Sequence, residues 1–184
     1  MGAQYESIEQ KQQEFIEQQQ MFFVATAART GRVNVSPKGL DSLRVLGPNR
    51  VVWVNGTGST NETAAHLLDF PRMTLMFCAF EGQPMILRVY GTARTLHEGD
   101  EDWDSLHGLF PDFRGARNIF DLTVDSVITS CGFGVPLFEF DDQRDLMVSW
   151  AEKRGPEGLR TYRETKNQVS IDGFPTGLPV NAPN

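Results

Sequence analysis

Residues 50–68, RVVWVNGTGSTNETAAHLL, constrain this chain more than any other stretch. Arg50 to Asn55 is β-branched and aromatic behind the turn residues Pro48 and Asn49, the composition of a strand. Gly56, Thr57, Gly58, Ser59 and Thr60 then form a loop of small hydroxyl residues and glycine. Asn61, followed by Glu62, Thr63, Ala64 and Ala65, reads as a capped helix start. Such a loop serves in many chains simply as a strand–helix connection. It also brings backbone N–H groups and hydroxyls together where the helix dipole is positive, which is what holding a phosphate requires.

The 184 residues fit a single domain, with a β core over 22–136, an N-terminal helix over 7–20, and a helical extension and tail over 137–184. Lys plus Arg is 17 against 24 for Asp plus Glu, a net charge of −7. No basic cluster tracks along any segment, so a nucleic-acid partner is not expected. The longest apolar run, Met21 to Ala28, is far too short for a bilayer. The Gln-rich start lacks the cationic region of a signal peptide, so a cytoplasmic protein with no membrane partner is expected. Cys78 and Cys131 lie in unlike contexts, and His66, His97 and His107 are scattered. Neither a disulfide framework nor a metal site is expected.

In chain order, Ile8, Phe15 and Ile16 lie on one stripe of a polar helix. Residues 22–28 read as a buried strand, Thr30-Gly31 as a turn, and 32–36 as the returning strand of a hairpin, interrupted by Pro37, Lys38 and Gly39. Leu43 to Leu46 resumes and turns at Gly47-Pro48-Asn49. After the helix, MTLMFCAF (73–80) is a near-continuous apolar run that suits a strand buried on both faces. MILRVYGTARTL (85–96) is a long strand in which Gly91 predicts a bulge or a close backbone approach. A short acidic helix precedes a strand over 119–129, which ends at SCGFGVP. Two further helices, near 146–153 and 157–166, flank Gly155-Pro156.

Strands joined by tight turns, with one helix inserted after the fourth, predict a mainly β fold: a closed antiparallel barrel with peripheral helices. A dinucleotide fold is excluded because the one strand–glycine–helix unit lacks GxGxxG spacing and is not followed by alternating β and α. A Walker loop is excluded by the missing Gly-Lys-Ser/Thr.

In order and spacing, GRVNVSPKG, VVWVNGTGSTNETAAHL, RMTLMFCAF, ILRVYGTAR and SCGFGVP together resemble the pyridoxamine 5′-phosphate oxidase-like family of FMN-binding split barrels. The resemblance covers residues 22–136 and implies an antiparallel split β-barrel and a homodimer with FMN at its interface. It places the phosphate at Ser59, Thr60 and Asn61 with Thr57 beside them, and Asn55 and Gly56 against the flavin ring or ribityl chain. It sets Ser36, Pro37 and Lys38 along the ring, and Arg88 at a basic position of the RVxG strand. Where pyridoxamine phosphate oxidases proper carry Ser-Arg-Lys, this chain has Ser59-Thr60-Asn61, so two cations are absent from the loop. Ile86 replaces a glutamine, and the C-terminal Trp-and-Arg pattern that recognises pyridoxamine phosphate is missing. Cys131, Gly132, Phe133 and Gly134 read as a substrate-pocket wall, with glycines permitting close approach and Phe133 offering an aromatic face.

The resemblance therefore implies an FMN-dependent oxidoreductase acting on a small organic substrate other than pyridoxamine phosphate, with the flavin supplying the redox chemistry. A non-catalytic flavin carrier is the alternative from another class. The same barrel with deazaflavin or haem ranks behind both, since haem requires an axial ligand and no histidine falls in the expected site.

Overall fold

A computed structural model describes residues 2–111 and 113–180. The elements, in chain order, are β1 (Ala3–Tyr5), α1 (Gln10–Gln18), β2 (Phe22–Thr26), β3 (Asn34–Lys38), β4 (Leu43–Gly47), β5 (Arg50–Gly56), α2 (Glu62–Asp69), β6 (Arg72–Cys78), β7 (Met85–Leu96), α3 (Trp103–His107), β8 (Ala116–Cys131) and α4 (Leu146–Lys166). α4 is broken at Gly155 (φ 66°), which precedes Pro156, so the two helices expected around that pair are present.

All strand pairings are antiparallel, in the order β3-β2-β6-β7-β8-β5-β4. The expected barrel is therefore open among the described residues, with β3 and β4 at the ends of the path. Pro37 sits inside β3 rather than interrupting it. A terminal strand tolerates this, because one row of its backbone groups has no ladder to serve. β8 is the hub: β7 runs along one edge, and the other is shared by β5 (Ala116 to Thr123) and the short β1 (Val127 to Thr129). β1, with sequence AQY, is too short to show any period, and the sequence reading misses it.

The period-2 pattern of β2, β6, β7 and β8 places Phe22, Val24, Leu75, Phe77, Leu87, Val89, Leu122 and Val127 in one buried cluster, together with Trp53 and Phe120. Trp53 stacks on Phe120 (centroids 4.5 Å, 29°) and meets Phe22 edge-on (6.0 Å, 77°). Gly91 is both a bulge, with the β7–β8 register shifting after Tyr90, and a close approach: a Cβ there would lie 1.9 Å from the Thr123 carbonyl. β6 is not buried on both faces. Met73, Leu75 and Phe77 are buried, whereas Thr74 and Met76 are only half-buried. The outer face of β3-β2-β6-β7 is thus a partly open apolar surface, with Val33 and Val35 at its rim, 71% and 62% exposed. A second buried cluster, around Val52, Val54, Leu96, Trp103, Phe110, Phe113 and Ile119, seats α3.

Candidate functional site

Alternation along β3 turns Asn34, Ser36 and Lys38 to the inner side of the sheet, opposite Thr26, Val24 and Phe22. There they line a cleft of about 50 Å³ with Asn55 at the end of β5, with Thr60, Asn61, Glu62 and Thr63 at the start of α2, and with Arg117 from β8. The cleft has room for a few heavy atoms, not for a ring system.

The polar groups are ordered by one constraint. Lys38 has only donors, and its Nζ donates to Asn55 Oδ1 (3.2 Å), so the Asn55 amide nitrogen must face away. That nitrogen donates to Asn118 Oδ1 (3.0 Å), and Asn118 Nδ2 donates in turn to Asn61 Oδ1 (3.3 Å). Asn61, only 2% exposed, is left with its Nδ2 buried and without a partner. The sequence reading makes Asn61 the cap of α2. It does occupy the N-cap position, but its side chain caps nothing, because its oxygen is committed to Asn118. The start of α2 therefore has no side-chain acceptor, and a buried amide donor stands beside it.

Arg117 is the residue the sequence reading misses. Asn55 pairs with Asn118 and Gly56 pairs with Ala116, so Arg117 is the extra residue of a β-bulge, a device that re-aims a side chain. It is 4% exposed, and its Nη1 donates to Asn167 Oδ1 (2.6 Å) and to the Gly58 carbonyl (3.3 Å), while its Nε has no partner. Burial, with Arg163 nearby, pulls its pKa down to about 9. Burial, with Arg117 nearby, pulls Lys38 down to about 8. Both remain cationic at neutral pH. Among the described residues neither is ion-paired to a carboxylate. Glu62 lines the cleft, but its Oε1 accepts the Ile171 N–H (2.9 Å). Arg163 braces the loop from behind, donating through Nε to Thr57 Oγ1 (2.9 Å) and through Nη2 to the Ala116 carbonyl (2.6 Å), and Thr57 Oγ1 donates to the Gly115 carbonyl (2.9 Å). A buried and a half-buried cation beside an uncapped helix start, with two orphaned donors, suit an anion.

Of the expected cofactor residues, Ser36, Lys38, Asn55, Thr60 and Asn61 meet in the cleft. Gly56 and Thr57 form its supporting loop, and Ser59 is exposed outside the lining. Pro37 and Arg88 share a cross-strand row, Pro37–Phe23–Met76–Arg88, on the opposite face of the sheet, where Arg88 donates to Ser130 Oγ (3.2 Å). The expected pocket wall, Cys131 to Gly134, begins where β8 ends, thirteen residues beyond Asn118 and so about 40 Å along the strand. Phe133 is 82% exposed there, and the wall does not meet the cleft of its own chain. None of the histidines lines the cleft, and the described residues hold no group of three or more His, Cys, Asp or Glu placed to bind a metal. No helix among them is long and apolar enough to cross a membrane.

The family model described as pyridoxamine 5′-phosphate oxidase matches residues 8–131. The chain is 34% identical to the pyridoxamine 5′-phosphate oxidase family protein ustO of Aspergillus flavus, over 93% of this chain and 76% of that protein. In fold it is similar to HupZ of Group A Streptococcus (TM-score 0.53, 20% identity, 67% of this chain and 99% of that one). A Lactobacillus delbrueckii protein provisionally named a pyridoxamine 5′-phosphate oxidase is also similar (TM-score 0.53, 18% identity, 67% and 94%).

Proposed function

The chain belongs to the pyridoxamine 5′-phosphate oxidase family, and from that premise we propose that it is an FMN-binding oxidoreductase, assembled as a homodimer, whose substrate is not pyridoxamine phosphate. The observation that carries the cofactor reading is the cleft itself. Half-buried Lys38 and buried Arg117 line a space sized for a phosphate together with Asn61, and Asn61 Nδ2 and Arg117 Nε are buried donors without a partner among the described residues. FMN fits that donor set. Lys38, Arg117, Asn61 and Thr60 would hold its phosphate, and Ser36 and Asn55 would lie beside its next atoms. Bound flavin supplies the electron transfer, and the residues of this chain bind, orient and exclude water.

The dimer reading rests on the half-buried outer face of β3-β2-β6-β7 and on the distance between the cleft and Cys131 to Gly134. Within one chain that wall does not meet the cleft, and on the dimer reading the wall of a second copy covers the ligand there. Pro37 and Arg88, on that outer face, belong on this reading to the subunit contact. The substrate reading rests on charge: among the described residues the cations lining the cleft are Lys38 and Arg117, and on the cofactor reading both are taken up by the cofactor phosphate. A second phosphate dianion would lose water without compensation, at a cost of several kcal/mol.

The visible spectrum of the purified protein tests the cofactor: an oxidised-flavin spectrum is expected, and a haem or deazaflavin spectrum contradicts it. Sedimentation is expected to show a dimer. Steady-state assay with pyridoxamine phosphate is expected to give kcat/KM well below about 10⁴ M⁻¹s⁻¹, the lower end of the usual enzyme range.

A further inference from the structure

Asn167 stands where a carboxylate would pair with a buried guanidinium. It closes α4, is fully buried, and its Oδ1 accepts from Arg117 Nη1 at 2.6 Å. An aspartate there would give the buried guanidinium the counter-ion it lacks. The amide does something a carboxylate cannot, because its Nδ2 also donates to the Gly58 carbonyl (3.0 Å), the same oxygen that Arg117 reaches. Arg117 is thus held firmly against the loop and its charge is left unspent.

Asn167 is itself fixed by the tail that follows it. Thr176 Oγ1 donates to its carbonyl (2.6 Å), and its N–H donates to the Arg163 carbonyl (3.0 Å). The tail also grips the rim of the cleft at two further points. The Ile171 N–H donates to Glu62 at the start of α2, and Asp172 accepts the Arg32 N–H (2.7 Å) and is ion-paired to the Arg32 guanidinium at the turn before β3. Residues 167–176 therefore tie together the glycine loop, the helix start and the first hairpin.

We infer that Asn167 is a positioning residue, and that residues 167–176 act as a strap that sets the protein's discrimination between phosphorylated and unphosphorylated flavin by holding Arg117 charged and uncompensated at the phosphate. The inference rests on the cofactor reading above and extends it to a segment outside the barrel. It explains how a loop without the two family cations retains positive charge: the charge comes from a bulge in β8, and its placement from the C-terminal tail.

The test is a pair of titrations, FMN and riboflavin, on the flavin-free dimer of the wild-type and Asn167→Asp proteins, with thermal unfolding alongside. The wild type is expected to bind FMN at least 100-fold more tightly than riboflavin. Asn167→Asp exchanges the Nδ2–Gly58 hydrogen bond for an ion pair, so it is expected to remain folded, to leave riboflavin affinity within twofold, and to cut the preference for FMN at least tenfold, because the new carboxylate neutralises Arg117 and repels the phosphate. A purely structural role for Asn167 moves the melting temperature and leaves the FMN-to-riboflavin ratio unchanged, and that result overturns the inference alone. A wild type that binds the two flavins equally overturns the cofactor reading and the inference together. Should Asn167→Asp fail to fold, Thr176→Val, which frees the Asn167 carbonyl, is expected to lower the ratio several-fold, and an unchanged ratio again overturns the inference.

Discussion

Two arginine sites lie four residues apart on β8 and are built on opposite principles. At Asp121 the carboxylate accepts from Arg50 (2.9 and 3.0 Å) and from Arg94 (3.0 and 2.8 Å), and Arg94 also reaches Asp102 (2.6 Å). The two arginines hold Asp121 well below the usual carboxylate range against the upward push of its burial, and every charge has an opposite. At Arg117 the partners are an amide and a carbonyl, Lys38 and Arg163 are nearby, Glu62, the one carboxylate among the described residues lining the cleft, is not ion-paired to it, and the guanidinium is more deeply buried. A fold selected only for stability would not keep such a group, since desolvating a cation costs several kcal/mol. The balanced cluster is structure, and on the reading proposed above the unbalanced one is where the anion binds.

Mutation should separate the two. Arg117→Met is expected to leave the apoprotein as stable as wild type or more so, while weakening FMN by about 10- to 150-fold, the 1.5–3 kcal/mol of a hydrogen bond to a charged group. Isothermal titration checks the affinity and chemical denaturation the stability. Asp121→Asn should do the reverse. It leaves two arginines facing each other and costs roughly 2–3 kcal/mol of stability, less than the 3–5 of a fully buried pair because both arginines are about half exposed. FMN affinity relative to riboflavin should not change. If both variants lose stability and neither loses affinity, the contrast between the two sites is wrong.

The pH dependence sharpens the same contrast. Lys38 is lowered from 10.5 to about 8, so between those values the unfolded chain binds more protons than the folded one. Apoprotein stability contributed by this group therefore rises as pH increases through that window. FMN binding must run the other way. The phosphate requires the charged lysine, so FMN affinity is expected to fall as pH rises past about 8, with riboflavin affinity nearly level. A flat FMN profile between pH 7 and 10 would remove Lys38 from the site.

The sequence shows the strand–loop–helix, the hairpin and the Gly91 bulge because each is local: β-branched runs, glycines and turn residues specify them over a few positions. Ser36, Lys38, Asn55, Thr60 and Asn61, which meet in the cleft, are legible for the same reason, since they stand on those elements. Arg117 and Asn167 are not legible for a different reason. The bulge exists only through the pairing of β8 with β5, and the one trace of it is a polar Arg-Asn pair just ahead of an apolar strand. Asn167 acts across 109 positions, on Gly58, and nothing in its own neighbourhood marks that contact. The net charge of −7 further conceals a positive cluster made of residues far apart in the chain. Ser59 runs the other way: the resemblance places it at the phosphate, and in the structure it is exposed and outside the lining of the cleft.

Smaller effects rank the loop residues. Asn61→Ala removes one neutral donor and is expected to weaken FMN about three- to tenfold, near 1 kcal/mol, with little change for riboflavin. Ser59→Ala is expected to change FMN affinity by no more than about 0.5 kcal/mol, as for other exposed substitutions. A larger effect at Ser59 than at Asn61 would move the phosphate out of the cleft and toward the open loop.

The most direct test of the central claim, that the uncompensated cations of β3 and β8 hold a flavin phosphate, is to titrate the flavin-free protein and Arg117→Met side by side with FMN and riboflavin. Wild type is expected to prefer FMN strongly, and Arg117→Met to lose at least tenfold of that preference while binding riboflavin as before. Equal loss for the two ligands, or none for either, would contradict the claim.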